Sequence, residues 1–365
     1  MKILVCTGIY PPDIGGPATY SKILNDELPS RGFSVDILSF GEVRHYPKFL
    51  RHLVYFFRVL SRGADANVIY AQDPVSVGFP SAIAARLMNK RFLLKIVGDY
   101  AWEQGAQRFG VEDNLDVFQE KKYGLAVEAL RFIEKYAAEK ADVIITPSAY
   151  LKGIVEKQGV RPEKIKVIYN AFEGVGHGLK KSEARAKLDL EGFILLSVGR
   201  LVPWKGFSAL IESISELKQK IEEIKLLIIG SGPERDLLEA EIKKQGLENS
   251  VFLLGKKTRE EVLMYLAACD AFVLNTSYEG LSHQILEAMA LGAPIITTPA
   301  GGNPELIKDK ETGIFVEYND KNGIIAAVLA LRKDPKMSEG LARKAAEKSA
   351  GFSKEKMISE LVKIL

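Results

Sequence analysis

Two glutamates with seven residues between them frame the densest chemical signal in the chain, Tyr278-Glu279-Gly280-Leu281-Ser282-His283-Gln284-Ile285-Leu286-Glu287-Ala288-Met289-Ala290-Leu291-Gly292-Ala293-Pro294. Glu279 falls in a turn after the apolar run Ala271–Leu274, and Glu287 inside a helix that Gly292 and Pro294 terminate. Leu286, Ala288, Met289 and Ala290 flank Glu287. A carboxylate on so apolar a helix is costly to bury unless a donor reaches it, and sugar or ribose hydroxyls are suitable donors. The helix start at Leu281-Ser282 offers unpaired amides and the positive end of the helix dipole, a natural seat for phosphate. The plainer alternative is a solvated glutamate near a helix start.

A second signal is Ser197-Val198-Gly199-Arg200-Leu201-Val202-Pro203-Trp204-Lys205-Gly206-Phe207. A strand ends at glycine and then presents Arg200 and Lys205 before a helix. Two cations at the carboxyl edge of a parallel strand suit a diphosphate, because arginine grips oxygens in a fork and lysine acts as a point charge. They would also stabilise the charge that grows on a diphosphate leaving group. Gly15-Gly16, in the loop after the first strand, lets backbone approach a ligand at a helix start. Gly230-Ser231-Gly232-Pro233 opens another helix in the same way. Neither loop has the glycine spacing of a dinucleotide fingerprint, which disfavours an NAD enzyme. No Asp-x-Asp pair and no histidine grouping has metal-ligand spacing, so no metal and no cofactor is expected.

Residues so scattered along a chain need a scaffold that gathers strand ends. Short β-branched runs alternate with helical patterns throughout: Ile3–Thr7, Val35–Ser39, Val68–Ala71, Phe92–Val97, Val143–Thr146 and Lys166–Tyr169, then Ile194–Gly199, Leu226–Gly230, Val251–Leu254, Ala271–Leu274, Ile295–Thr298 and Ile314–Val316. Near-continuous apolar strands separated by helices imply parallel sheets covered on both faces, here as two doubly wound α/β domains. The 365-residue length also asks for two cores. A glycine-rich stretch, Asn170–Gly178, reads as the linker between them. Hydrophobic residues at 47% and charged residues at 27% describe an ordinary globular chain, and a net charge of +3 does not indicate a nucleic-acid binder. Cys6 and Cys269, the two cysteines, read as small buried thiols, which fits a reducing, cytoplasmic setting. No apolar stretch is long enough to span a bilayer.

Taken together these pieces resemble the family 4 retaining glycosyltransferases of GT-B fold, in which two Rossmann-like domains face a central cleft. The resemblance covers essentially the whole chain and is most specific in the second half. It implies an acceptor-binding domain over 1–172 and a nucleotide-sugar-binding domain over 173–352; a last helix is read over 353–365, and the sequence leaves open whether it packs back on the first domain. It further implies that Glu287 binds the nucleotide ribose and Glu279 touches the transferred sugar. Arg200 and Lys205 would hold the diphosphate, with the backbone of Leu281 and Ser282, and Gly230 would line the donor site. Gly15 and Gly16 would approach the donor from the other domain, and Lys256, after Leu254-Gly255, would lie nearest the base. The expected donor is a UDP-sugar, used without a metal and with retention of configuration. The acceptor would be a glycan, a lipid-linked glycan or a small molecule.

One departure falls in the first half. The family often carries a histidine after its fourth strand, and here Lys95-Ile96-Val97-Gly98-Asp99-Tyr100-Ala101-Trp102 puts Val97 at that place. Asp99 is the preferred substitute, contacting the sugar or taking the acceptor proton, with Asp73 as the second choice. Either aspartate could instead cap a helix. Trp102 and Tyr100 would form a sugar-stacking wall or pack beneath a loop. A GT-B epimerase, or a sugar-nucleotide-binding scaffold without turnover, are the competing functions.

Finally, no acidic residue occurs between Glu42 and Asp65. The helical run 47–62 sets Lys48, Arg51, Tyr55, Arg58 and Arg62 on one side, and Phe49, Leu50, Leu53, Phe56, Phe57 and Leu60 on the other. Such a helix either covers a sheet with its apolar side or lies on an anionic membrane surface.

Overall fold

The apolar runs become the strands of two parallel sheets in a computed structural model that describes residues 1–13, 15–172 and 179–365. Most of the expected linker, 173–178, lies outside the described residues, as do Ile14 and the side chains of Lys48 and Phe49. The chain folds into two compact units, Met1–Asn170 with Lys354–Leu365, and Ala171–Ser353.

The first unit contains β1 (Lys2–Thr7), β2 (Ser34–Ser39), β3 (Val68–Ala71), β4 (Arg91–Lys95), β5 (Val143–Thr146) and β6 (Ile165–Val167), ordered β2-β1-β3-β4-β5-β6 and parallel throughout. Its helices are α1 (Gly16–Glu27), α2 (Lys48–Gly63), α3 (Phe79–Leu87), α4 (Tyr100–Arg108), α5 (Leu115–Glu120), α6 (Leu125–Lys140) and α7 (Ala149–Lys157). Ile3, Leu4, Val5 and Cys6 are all fully buried, as strands covered on both faces require. The small residues Ala82, Ala84 and Ala85 of α3 and Ala137 and Ala138 of α6 join one core cluster with Tyr55 and Val59 of α2, so these three helices cover the same face. The chain reverses its direction across the sheet between β1 and β3, making their carboxyl ends the switch point.

The second unit repeats the plan with β7 (Phe193–Val198), β8 (Ile224–Ile229), β9 (Val251–Gly255), β10 (Ala271–Leu274), β11 (Ile295–Thr297) and β12 (Ile314–Phe315), ordered β12-β11-β10-β7-β8-β9 and again all parallel. Its helices are α8 (Lys181–Leu188), α9 (Phe207–Lys220), α10 (Arg235–Lys244), α11 (Arg259–Ala268), α12 (His283–Ala290), α13 (Asn303–Leu306), α14 (Lys321–Lys333) and α15 (Pro335–Ser349). Here the switch point lies between β7 and β10. The last helix, α16 (Lys354–Val362), belongs to the first unit: Met357, Ile358 and Leu361 are buried and Lys354 pairs with Glu27 at 2.5 Å.

Every strand read from the sequence is present, with ends displaced by up to two residues. The fourth stops at Lys95 instead of Val97, because Lys95 turns inward to donate to Asn170 Oδ1 at 2.9 Å beneath the Tyr20 ring, and Val97 emerges to 37% exposure. Helix α2 corrects the sequence reading of its faces. Tyr55, grouped there with the cations, is fully buried, and its hydroxyl donates to Leu38 O at 2.9 Å. Arg58 and Arg62 turn to Glu42 at 2.7 and 3.3 Å, and Arg62 also grips Asp36. These contacts fix the helix's rotation and leave Leu50, Leu53 and Phe57 facing outward at 48, 52 and 59% exposure. Both cysteines are buried free thiols, and desolvation pushes Cys6 up to about 11 and Cys269 up to about 12.

Candidate functional site

The switch point of the second sheet collects the residues of the two strongest sequence signals. Strand β7 ends at Val198, and Gly199-Arg200-Leu201 turns out of the sheet onto the loop after β8. The two loops touch backbone to backbone: Leu201 N donates to Ser231 O at 3.1 Å and Glu234 N to Leu201 O at 3.1 Å. A Cβ on Gly230 would fall 1.8 Å from Gly199 O, and one on Gly232 would fall 2.2 Å from Leu201 O. Glycine at 230 and 232 is therefore what lets the Arg200 loop be held from behind. Arg200 itself is exposed and reaches over the Trp204 ring, 5.5 Å from its centroid.

From the other side of the switch point, the segment after β10 is laced to the Lys205 turn. Trp204 O accepts from Ser277 N at 2.9 Å and from Thr276 Oγ1 at 3.0 Å, and Asn275 Nδ2 donates to Gly206 O at 2.7 Å. Tyr318 adds a bond from its hydroxyl to Pro203 O at 2.9 Å. The result is an ion pair between Lys205 Nζ and Glu279 Oε1, with side chains only 11 and 12% exposed. Glu279 is fixed in turn by Gly302 N, which donates to its carbonyl at 2.9 Å, and a Cβ on Gly301 would lie 1.9 Å from that carbonyl.

Ser282 caps α12, accepting from Ile285 N at 3.2 Å, so the amides of the first turn open at this strand edge. One turn on, Glu287 is mostly buried, and desolvation raises its carboxyl to about 7 against the opposing pull of Arg259, 3.6 Å from Oε1. Arg259 is the first residue of α11, whose start is set by a capping box: Glu261 N donates to Thr258 Oγ1 at 3.2 Å and Thr258 N to Glu261 Oε2 at 2.8 Å. Its guanidinium also lies over Phe172, 5.8 Å from the ring centroid. Lys256 follows Gly255 at the end of β9 and is exposed. The unit thus presents, along one carboxyl edge, two cation–carboxylate pairs, an exposed arginine and a helix start. Among the described residues no three His, Cys, Asp or Glu side chains group as metal ligands.

Comparison with known proteins matches both units. The family model "Glycosyl transferases group 1" covers residues 180–348, and "Glycosyl transferase 4-like domain" covers residues 5–171. The chain belongs to the group 1 glycosyltransferases. Among curated relatives it is 31% identical, over 64% of this chain and 63% of the other, to the N-acetylgalactosamine-N,N'-diacetylbacillosaminyl-diphospho-undecaprenol 4-alpha-N-acetylgalactosaminyltransferase of Campylobacter jejuni. The match therefore spans less than two thirds of that relative. Sucrose-phosphate synthase from Thermosynechococcus elongatus has the same fold at a TM-score of 0.82 and 20% identity, covering 100% of this chain and 98% of that one. Anabaena Alr3699/HepE, in a structure with UDP-glucose, matches at a TM-score of 0.76 and 20% identity over 100% of both chains. The two sheets are those of the GT-B fold.

Within this glycosyltransferase the structure brings Arg200, Lys205, Glu279, Leu281, Ser282 and Glu287 to one edge, with Gly230 behind the Arg200 loop. Two contributors escaped the sequence reading. Arg259 is signalled by the Thr258-to-Glu261 capping box directly after a strand, and Gly301-Gly302 by a glycine pair after β11. In the first unit Gly15 precedes α1 with φ 155°, and a Cβ there would come within 2.9 Å of Ile9 Cδ1; Gly16 begins the helix.

Asp99 is a helix cap. Its Oδ1 accepts from Trp102 N at 2.8 Å, and its Oδ2 from Gln119 and Gln158 Nε2 at 2.8 and 3.1 Å. Beside it Glu134 accepts from Tyr100 N at 2.7 Å and Ala101 N at 3.1 Å, so two buried carboxylates share the start of α4. Desolvation raises both carboxyls. With its oxygens engaged and its side chain buried, Asp99 is not displayed as a base. Asp73 also caps, its Oδ1 taking Val75 N and Ser76 N at 3.0 and 2.5 Å, but it stands half-buried at the switch point, facing Gly8. Trp102 packs inward, its indole N–H donating to Asp113 O at 2.9 Å, which is the loop-packing alternative and not a stacking wall.

Proposed function

We propose that this chain transfers a sugar from a UDP-sugar to a lipid-linked or other glycan acceptor, with retention of anomeric configuration and without a metal ion. The observation that carries the reading is the mostly buried Lys205–Glu279 pair at the switch point of the second sheet, flanked by Arg200 and by Glu287. Charged pairs at such an edge are costly to keep unless a polar ligand uses them. A nucleoside diphosphate sugar supplies phosphates for the cations and hydroxyls for the carboxylates. As the bond between anomeric carbon and diphosphate breaks, Arg200 and Lys205 neutralise the leaving group, the task a metal performs elsewhere. The acceptor hydroxyl then attacks from the face the diphosphate leaves and gives its proton to the departing phosphate oxygen, with Glu279 beside the sugar.

UDP is favoured by the Anabaena neighbour, described with UDP-glucose, and a lipid-linked acceptor by the Campylobacter relative, named for a diphospho-undecaprenol substrate. No helix among the described residues is long and apolar enough to cross a membrane, and we place the reaction at a cytoplasmic membrane face to which the chain attaches peripherally. Thermal shift with a panel of nucleotide sugars, followed by turnover on an undecaprenyl-diphosphate glycan, tests the assignment. A donor that stabilises the protein and is consumed only when acceptor is present supports it. Conversion of the donor sugar without acceptor would make the protein an epimerase, and binding without turnover would make it a scaffold.

A further inference from the structure

We propose that Thr276 is a positioning residue for the reaction: one buried hydroxyl sets the spacing of the Lys205 and Glu279 turns. Thr276 Oγ1 lies 3.0 Å from Trp204 O and 2.9 Å from Tyr278 O. These are the peptide carbonyls immediately before Lys205 and immediately before Glu279. The same oxygen accepts from Tyr278 N at 3.3 Å. Other bonds hold one turn each: Asn275 Nδ2 and Ser277 N grip the Lys205 turn, and Gly302 N grips the Glu279 turn. Thr276 grips both. Its single hydroxyl proton is shared between the two carbonyls, so a change in the height of either turn is felt by the other.

The threonine is itself anchored from behind. Thr298 Oγ1 donates to Thr276 O, and Asn303 Nδ2 donates to Thr298 O and to Thr297 Oγ1, each at 3.2 Å. Thr297 Oγ1 in turn donates to Leu274 O at 3.0 Å. The ladder therefore runs from the end of β11 across the end of β10 to the loop after β7, three strands that are neighbours in the sheet. Thr276, Thr297, Thr298 and Asn303 are at most 1% exposed, so no substrate atom reaches them, and Thr276 acts through the charged pair above it. A buried hydroxyl is costly unless it is bonded, and the β-branch of threonine fixes χ1 and so aims the oxygen. On the function proposed above, on which this inference rests, Lys205 meets the diphosphate and Glu279 the sugar, the two sides of the bond that breaks. Once a donor opens their ion pair, the backbone bonds through Thr276 are what keep the two turns in register. Fixed spacing of this kind is worth most at the transition state, so its loss falls on kcat more than on binding.

The test compares Thr276→Val, which keeps the shape and removes the hydroxyl, with Thr276→Ser, which keeps the hydroxyl. UDP is the binding probe, and turnover is followed with the UDP-sugar selected by thermal shift. Thr276→Val should lower kcat about tenfold or more, since a displacement of about 1 Å costs on the order of a hundredfold, while KM and UDP affinity change by less than about threefold. Thr276→Ser should bring kcat back to within about threefold of the wild type. Because the hydroxyl acts through the pair, Thr276→Val should cost less than about twofold further in a Lys205→Met background, read in single turnovers. Thr276→Cys, close to threonine in size but a weak donor, repeats the measurement if the valine variant does not fold. A lowered melting temperature with kcat unchanged would reduce Thr276 to a structural role and overturn the proposal. So would an equal loss of UDP affinity, a serine variant as slow as the valine one, or fully additive losses with Lys205→Met. Wild-type turnover in Lys205→Met alone would sink the proposed function instead, whereas a slow Lys205→Met beside a fully active Thr276→Val would sink only the positioning role.

Discussion

Replacing Glu287 by Gln should make the unliganded protein more stable at pH 8, not less. Burial lifts the folded-state carboxyl from 4.5 to about 7, so between those values the folded chain holds a proton that the unfolded chain has released. Stability contributed by this group is therefore full below pH 4.5 and is lost as pH rises toward 7; the whole gap is worth about 3 kcal/mol. Glutamine keeps the shape and does not titrate. Arg259 is not stranded by the change, because its side chain is 23% exposed and still rests on the Phe172 ring. The variant should melt near the wild type at pH 4.5–5 and above it at pH 8, by up to about 6–12 °C for a unit of this size. Differential scanning calorimetry of both proteins across that range, without ligand, reads the difference directly. Adding a UDP-sugar should reverse the order at pH 8, because the ionised carboxylate is the better acceptor for ribose hydroxyls. A melting difference that stays flat from pH 5 to 8, or a variant that melts below the wild type at pH 8, would refute both the buried-carboxyl argument and the ribose role built on it.

Lys205→Met leaves Glu279 buried without its partner, so it should cost about 3 kcal/mol and lower turnover at least a hundredfold, whereas the double variant with Glu279→Gln should recover most of the melting temperature and none of the turnover. Asp99→Ala should destabilise by about 2 kcal/mol through the lost cap and the unpaired glutamines, with kcat changed less than tenfold; a hundredfold loss of kcat at unchanged melting temperature would return Asp99 to the reaction. Turnover measured after EDTA treatment and in metal-free buffer should equal that with added magnesium, and restoration by a divalent ion would contradict leaving-group stabilisation by Arg200 and Lys205 alone.

The sheets were legible because burial on both faces writes each strand as a nearly unbroken apolar run, and the cation loop and glutamate pair sit directly at strand ends. What sequence could not supply was rotation and reach. The periodicity of α2 announces a helix, but which side turns inward depends on Glu42 and Asp36, acids outside the helix that capture Arg58 and Arg62. Val97 extends an apolar run on paper, yet the strand ends at Lys95, whose ammonium is consumed by Asn170 and the Tyr20 ring. Asp99 stands beside the site in sequence, and only the meeting with Gln119 and Gln158 shows that its charge is already in use.

The same limit explains the donor edge. Glu279 and Glu287 were readable as carboxylates in apolar company, but their partners Lys205 and Arg259 come from other strand ends and are joined only by the sheet order. In the unliganded chain each carboxylate is compensated by one cation, so the edge carries little net charge while holding four ionisable groups with limited access to water. On the proposed function a nucleotide sugar exchanges those partners: its phosphates engage the cations and its hydroxyls engage the carboxylates. The cost of burying the Glu287 charge, which Arg259 offsets only in part in the unliganded chain, is then met in the complex. A site that bound only phosphate would need the cations and would be weakened by the two glutamates. Their presence at the same edge is the strongest physical reason to read the ligand as a sugar joined to a diphosphate.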